Sequence, residues 1–112
     1  TSKLLPSNDY LHSFDNPKVA EAFARIECHY FKNGGFFESD EWILDNVATV
    51  QNLPVVIIQG RYDIVCPATS AWYLHKKLPR ADFHIIQDAG HSMKEAGITA
   101  KLVEYTEKYS DL

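Results

Sequence analysis

The segment Val55-Val56-Ile57-Ile58-Gln59-Gly60-Arg61-Tyr62-Asp63 joins a β-branched apolar run to a glycine and a carboxylate. A continuous apolar run without alternation is typical of a strand that is covered on both faces, as in a parallel sheet. We therefore predict a buried strand over residues 55–60. A loop over residues 61–67 then begins at the carboxyl end of that strand.

The chain downstream of this loop repeats the same order of elements. The sequence predicts a helix over about residues 68–78, ended by Pro79, and a second strand over residues 82–87. Another loop and a helix over about residues 97–109 follow, with Ile98, Leu102 and Tyr105 on one helical face. A βαβα order implies an α/β fold whose parallel strands are joined by a right-handed crossover.

The chain upstream of this unit has a helical pattern. Asn16 is a good N-cap and Pro17 suits the first helical position, and apolar residues follow at helical spacing until Gly34-Gly35. A second helix is predicted over residues 41–51.

Composition narrows the possible functions. Eleven Lys and Arg against fifteen Asp and Glu give a net charge of −4 without a basic stripe, which argues against nucleic acid as a partner. The longest strongly apolar run, residues 55–58, is far too short to span a membrane. Two cysteines and five scattered histidines form no disulfide framework and no metal motif. We expect a cytoplasmic protein that binds no metal and no cofactor.

The residues that could carry chemistry follow the two predicted strands. Asp63 follows the first strand and His91 follows the second, and functional residues of parallel sheets lie at the carboxyl ends of strands. Either residue alone could be an ordinary turn or loop residue. Together they match the acid and the base of a Ser-His-Asp triad, in the chain order of α/β-hydrolases.

The nucleophile of such a triad is missing from the sequence. No G-x-S-x-G motif occurs, and Ser92 directly follows His91, too close to be its partner in the usual geometry. The first residue is Thr1 rather than a methionine. We therefore expect the chain to begin inside a longer one that supplies the serine and the oxyanion hole, and to be inactive alone.

Four segments resemble the proline iminopeptidases, also called prolyl aminopeptidases. Residues 59–67 resemble their acid loop, residues 71–76 the helix after it, and residues 88–92 their histidine loop. Residues 24–37, with the sequence ARIECHYFKNGGFF, resemble a signature of their helical cap and are the most family-specific segment. The resemblance covers the chain from about Pro17 to Tyr105.

This resemblance implies the C-terminal part of an α/β-hydrolase, with cap residues at 1–37 and core residues at 38–112. The implied activity is a serine aminopeptidase that releases proline from the N-terminus of peptides without a metal. Asp63 would orient His91, which would act as general base and then as general acid. Glu27 matches a cap glutamate that binds the α-amino group of the substrate, whereas Cys28 departs from the amide expected beside it.

Two other functions stay open. Esterases and epoxide hydrolases use similar acid and histidine loops, and the nucleophile of the parent chain would distinguish them. The chain could also be a domain that binds peptides or partners without turnover. In each case a sheet of two strands has unpaired edges, so we expect it to associate with the missing part of the same enzyme or with itself.

Overall fold

A computed structural model of the chain describes Lys3, Leu4 and residues 16–111. The chain divides into two compact units, one formed by residues 1–5 with 47–112 and the other by residues 6–46. We call them the sheet unit and the helical unit. None of the helices in the described residues is long and apolar enough to cross a membrane.

The described residues form four α-helices and two β-strands. In order they are α1 (Pro17–Lys32), α2 (Trp42–Asp45), β1 (Val56–Gly60), α3 (Ala68–Lys77), β2 (Asp82–Ile86) and α4 (Ala96–Lys108). Short 3-10 helices lie at Gly34–Phe36 and Val47–Val50. The predicted order strand, helix, strand, helix from residue 55 onward is confirmed.

The two strands form a parallel sheet, as predicted. Val56 pairs with Asp82 and Gly60 pairs with Ile86, so the carboxyl ends of β1 and β2 lie side by side. β1 is less buried than its apolar sequence predicts, since only Gln59 and Gly60 are buried and the rest of the strand is half-buried. The described part of the chain pairs β1 on one edge only, so its other edge has no strand partner among the described residues.

The core of the sheet unit lies between the sheet and the helices beside it. Its buried apolar residues are Leu78, Ala81, Ala89, Ile98 and Tyr105. Ile98 and Tyr105 come from α4, and Leu102 on the same face is half-buried. The predicted apolar face of this helix is therefore confirmed. The core is small, and many large apolar side chains of the unit stay exposed.

α1 of the helical unit begins and ends where the sequence predicts. The Asn16 side chain accepts a hydrogen bond from the Lys18 amide at 3.0 Å, and Pro17 opens the helix. Gly34 and Gly35 follow with φ of 57° and 64°, a left-handed conformation that ends the helix at little cost for glycine. No residue of α1 is buried, so its predicted apolar face lies open in this unit.

The predicted helix over residues 41–51 is wrong in its length. The chain forms only the single turn of α2 and then a 3-10 helix, with Asn46 between them. The Asn46 side-chain amide donates to the Trp42 carbonyl at 2.8 Å, where its backbone amide also donates at 3.1 Å. Asn46 is thus the C-cap of α2, and asparagine side chains that hydrogen-bond to nearby backbone favour helix ends over helix interiors.

Gly60 brings the ends of the two strands unusually close. A Cβ atom at this position would overlap the carbonyl oxygen of Gly90 and lie 2.8 Å from that of Ala89. Both obstacles are backbone atoms, which no side-chain rotation can move away. A glycine is therefore required where the loop after β1 contacts the loop after β2.

We predict that Gly60→Ala destabilises the protein by about 1–3 kcal/mol, the usual cost of overpacking. Gly97→Ala is the matched control. Its Cβ would lie 2.6 Å from Ile86 Cγ2 and 3.5 Å from Asp88 Oδ1, so Ile86 must shift, but both obstacles are side-chain atoms, and alanine offsets part of this cost by favouring the helix by about 1 kcal/mol. Urea denaturation of both variants measures the difference. Equal free energies of unfolding for the two variants would show that the backbone contact does not require a glycine at position 60.

Candidate active site

Asp63 lies in a loop that fixes its carboxylate firmly. The loop follows β1, and the backbone amides of Val65 and Cys66 donate to Asp63 Oδ1 at 3.0 and 2.8 Å. Only 7 % of the side chain is exposed. An aspartate that accepts hydrogen bonds from amides two and three residues later forms its own turn, so the local sequence positions this carboxylate.

Gln59 holds the same loop through hydrogen bonds from its side-chain amide. Its buried side-chain amide Nε2 lies 3.0 Å from the Gly60 carbonyl oxygen, 3.2 Å from that of Cys66 and 3.4 Å from Asp63 Oδ2. The sequence places Gln59 at the end of the first strand and predicts no role for it. The signal was an amide within an otherwise apolar strand, because a buried polar group needs hydrogen-bond partners.

The structure brings the two predicted catalytic residues together. His91 Nδ1 lies 2.9 Å from Asp63 Oδ2, on the loop after the neighbouring strand. A backbone hydrogen bond from the Tyr62 amide to the Ala89 carbonyl, 3.0 Å long, joins the two loops directly. His91 is 39 % exposed, so its other ring nitrogen, Nε2, is free to face a reacting group. This arrangement fits an acid that orients a general base.

The surroundings of Asp63 keep it ionised. Burial raises its pKa, but the hydrogen bonds from the Cys66 and Val65 amides and the hydrogen bond and charge of His91 lower it by more in total. The net pKa of Asp63 therefore lies below the ordinary value of 3.8. At neutral pH a negative carboxylate faces His91, and it favours the tautomer that carries the proton on Nδ1.

Glu95 is a second buried polar residue, and it lies beneath the histidine loop. Its Oε1 accepts from the amides of Gly90 and Ser92, at 2.9 and 3.2 Å, and its Oε2 accepts from the Leu4 amide at 3.1 Å. Its exposed fraction is 9 %. The sequence predicts no role for Glu95, although Ser92-x-x-Glu95 ahead of a helix has the spacing of a capping box. In the structure Glu95 is itself the N-cap residue of α4, and its side chain does not cap the helix.

An open cleft of about 340 Å³ borders the pair. Asp63 and His91 line one part of it, and the remainder is mainly apolar, with Ile58, Met93, Ile98 and Leu102. The two loops also carry exposed apolar side chains, namely Tyr62, Ile64, Val65 and Met93. Such a surface suits contact with an apolar substrate group or with further protein.

Glu27 belongs to the helical unit, whereas Asp63 and His91 belong to the sheet unit. It lies exposed on α1, next to the exposed Cys28. Its predicted role at the substrate amine stays a prediction, as do the catalytic roles of Asp63 and His91.

The lowered pKa of Asp63 predicts how acid affects stability. The carboxylate stabilises the fold fully above its ordinary pKa, and this contribution is lost as the pH falls through the lower pKa of the folded state. Asp63→Asn should therefore lose less stability than the unchanged protein below about pH 4. Urea denaturation between pH 2 and pH 6 tests this, with Asp88→Asn showing the effect of the same change at an exposed site. Parallel curves for the unchanged protein and Asp63→Asn would contradict the assigned contacts.

Comparison with known proteins agrees with this geometry. The family described as alpha/beta hydrolase fold matches residues 3–97. A probable proline iminopeptidase of Leptolyngbya boryana is 50 % identical over 109 residues, which are 97 % of this chain and 34 % of that protein. Proline iminopeptidases of Arabidopsis thaliana and Xylella fastidiosa are 48 % and 47 % identical, over 100 % and 97 % of the chain and 30 % and 35 % of those proteins.

The chain thus spans about a third of the length of these curated relatives. The matched region is the C-terminal portion of the relatives. The predicted α/β fold class is confirmed by the family match and by the parallel pairing of β1 and β2. The chain belongs to the alpha/beta hydrolase fold family.

Proposed function

We propose that this chain is the C-terminal part of a serine-type proline iminopeptidase and that it supplies the acid and the base of the catalytic triad. The observation that carries the proposal is the 2.9 Å contact between His91 Nδ1 and Asp63 Oδ2 at adjacent strand ends. Identities of 47–50 % to proline iminopeptidases across nearly the whole chain support the choice of reaction.

The proposed chemistry assigns one role to each residue of the pair. His91 Nε2 takes the proton of a serine hydroxyl that lies in the rest of the parent enzyme, and it later returns a proton to the leaving amine. Asp63 holds the proton on Nδ1 and stabilises the imidazolium that forms. Its lowered pKa suits this role, because the acid must stay ionised while His91 changes its charge.

Glu27 is proposed to select the substrate. An N-terminal proline carries a cationic imino nitrogen near neutral pH, and a carboxylate can hold it by a charge-assisted hydrogen bond. A blocked N-terminus has no such charge, so this contact would discriminate against it. Glu27 lies in the segment most typical of the cap, and it is exposed on α1 without burial by its own unit.

The rest of the parent enzyme is the proposed partner of the sheet unit. β1 has one paired edge among the described residues, and apolar side chains such as Ile64 and Met93 are 80 % and 67 % exposed. The relatives extend for about two thirds of their length beyond the matched region. We expect this remaining part of the parent enzyme, rather than a second copy of the chain, to pair with the free edge of β1, because the same part must also bring the serine to His91.

The full-length parent should hydrolyse proline 4-nitroanilide, and His91→Ala should lower kcat at least about a thousandfold with the fold intact. The 112-residue chain alone should show no turnover. Circular dichroism of both full-length proteins controls for folding. Turnover by the purified 112-residue chain would mean that it holds its own nucleophile, which would overturn the proposed division of the triad.

The same assay tests the proposed role of Glu27. Glu27→Gln should raise KM for proline 4-nitroanilide about tenfold or more, because a charge-assisted hydrogen bond contributes about 1.5–3 kcal/mol. Glu21→Gln is the matched control on the same helix, where Glu21 pairs with Arg25 at 2.8 Å on the surface. An unchanged KM in Glu27→Gln would remove Glu27 from the substrate site.

A further inference from the structure

We propose that Glu95 is the positioning residue of the histidine loop and that it sets the place of His91 through the two amides beside it. This inference rests on the proposed function, since it concerns the same catalytic pair. No motif of the sequence analysis includes Glu95. The proposed assignment comes from its burial and from the three backbone amides that its carboxylate binds.

One oxygen atom of Glu95 accepts hydrogen bonds from the backbone on both sides of His91. Oε1 accepts from Gly90 N at 2.9 Å and from Ser92 N at 3.2 Å, which are the amides immediately before and after the histidine. Two donors that share one acceptor fix the separation and direction of the peptide groups that flank His91. The position of the imidazole then follows from the backbone rather than from contacts of its own ring.

The second oxygen of Glu95 ties the loop to the start of the chain. Oε2 accepts from the Leu4 amide at 3.1 Å, and a Cβ atom on Gly90 would lie 3.0 Å from the same amide nitrogen. Lys3 and Leu4 therefore lie against the histidine loop. Glu95 itself is 91 % buried, so water competes weakly for these hydrogen bonds.

The carboxylate of Glu95 does not serve the helix that follows it. Glu95 is the N-cap residue of α4, and its side chain makes no capping hydrogen bond with the helix. Its contacts go back along the chain instead, over five residues to the Gly90 amide and over three residues to the Ser92 amide. Helix capping therefore does not account for the buried carboxylate, whereas holding the backbone on both sides of His91 does.

The proposed role of Glu95 differs from that of Asp63. Asp63 contacts the imidazole directly and fixes its proton, whereas Glu95 touches only backbone amides of the loop. Gln59 plays a similar part under the acid loop, through the Gly60 and Cys66 carbonyls. Each catalytic loop thus has one buried polar side chain beneath it, and Glu95 is the one that acts on the general base.

The test uses the full-length parent with the variants Glu95→Ala and Glu95→Asp. Alanine removes every acceptor, and aspartate keeps the charge but is one methylene too short to reach both amides. We expect kcat for proline 4-nitroanilide to fall about a hundredfold in the first and about tenfold in the second, with KM within twofold. Glu107→Gln, on an exposed part of α4, is the control and should match the unchanged enzyme.

A second readout separates positioning of His91 from a general structural effect. In a His91→Ala background the added Glu95→Asp change should alter the residual kcat by less than twofold, since the residue on which it acts is gone. A tenfold fall in both backgrounds would overturn the positioning role. So would a folded Glu95→Asp enzyme with kcat within twofold of the unchanged enzyme, even if Glu95→Ala does not fold.

The same variants are also assayed with 4-nitrophenyl acetate, an activated ester. An enzyme that cleaves the ester but no proline substrate would refute the proposed peptidase function and still test Glu95. An enzyme that cleaves proline 4-nitroanilide with kcat unaffected by Glu95→Asp would refute the role of Glu95 alone. The two failures are therefore distinguishable.

Discussion

The parallel contact between β1 and β2 at their carboxyl ends is the constraint on which the rest of the site depends. Pairing continues past the strands, where the Arg61 amide donates to Ile86 at 2.9 Å and the Tyr62 amide donates to Ala89 at 3.0 Å. This continuation requires a glycine at position 60, because a side chain there would overlap the backbone of Gly90. Once the two loops are joined in this way, Asp63 and His91 have little freedom to separate.

The buried side chains of Gln59 and Glu95 explain how His91 is held in place although its ring is exposed. His91 is 39 % exposed, whereas Gln59 and Glu95 are each 91 % buried and bind loop backbone. Buried hydrogen bonds of this kind are costly to break, since each partner would be left unsatisfied. The loops therefore combine a firmly held backbone with an accessible imidazole, which the proposed general acid–base chemistry needs.

Much of this arrangement could be predicted from sequence because it depends on local patterns. The apolar run before Gly60 predicted β1, and the rule for strand ends placed Asp63 beside His91. The roles of Gln59 and Glu95 escaped prediction, because burial and partners such as Leu4, 91 residues away from Glu95, follow only from the folded chain. The helix predicted over residues 41–51 is shorter in the structure for a local reason, since Asn46 is the C-cap that ends α2 and its side chain binds the Trp42 carbonyl.

The contact between Asp63 and His91 holds two of the three proposed triad residues in place, and the serine is proposed to lie elsewhere in the parent enzyme. In this arrangement Asp63 keeps the proton of the neutral imidazole on Nδ1 of His91. Nitrogen-15 NMR of histidine-labelled full-length protein, at a pH where the imidazole is neutral, observes this proton directly. We expect a protonated Nδ1 and a bare Nε2 for His91, and the loss of this preference in Asp63→Asn. A proton on Nε2 in the unchanged protein would contradict the proposed role of Asp63.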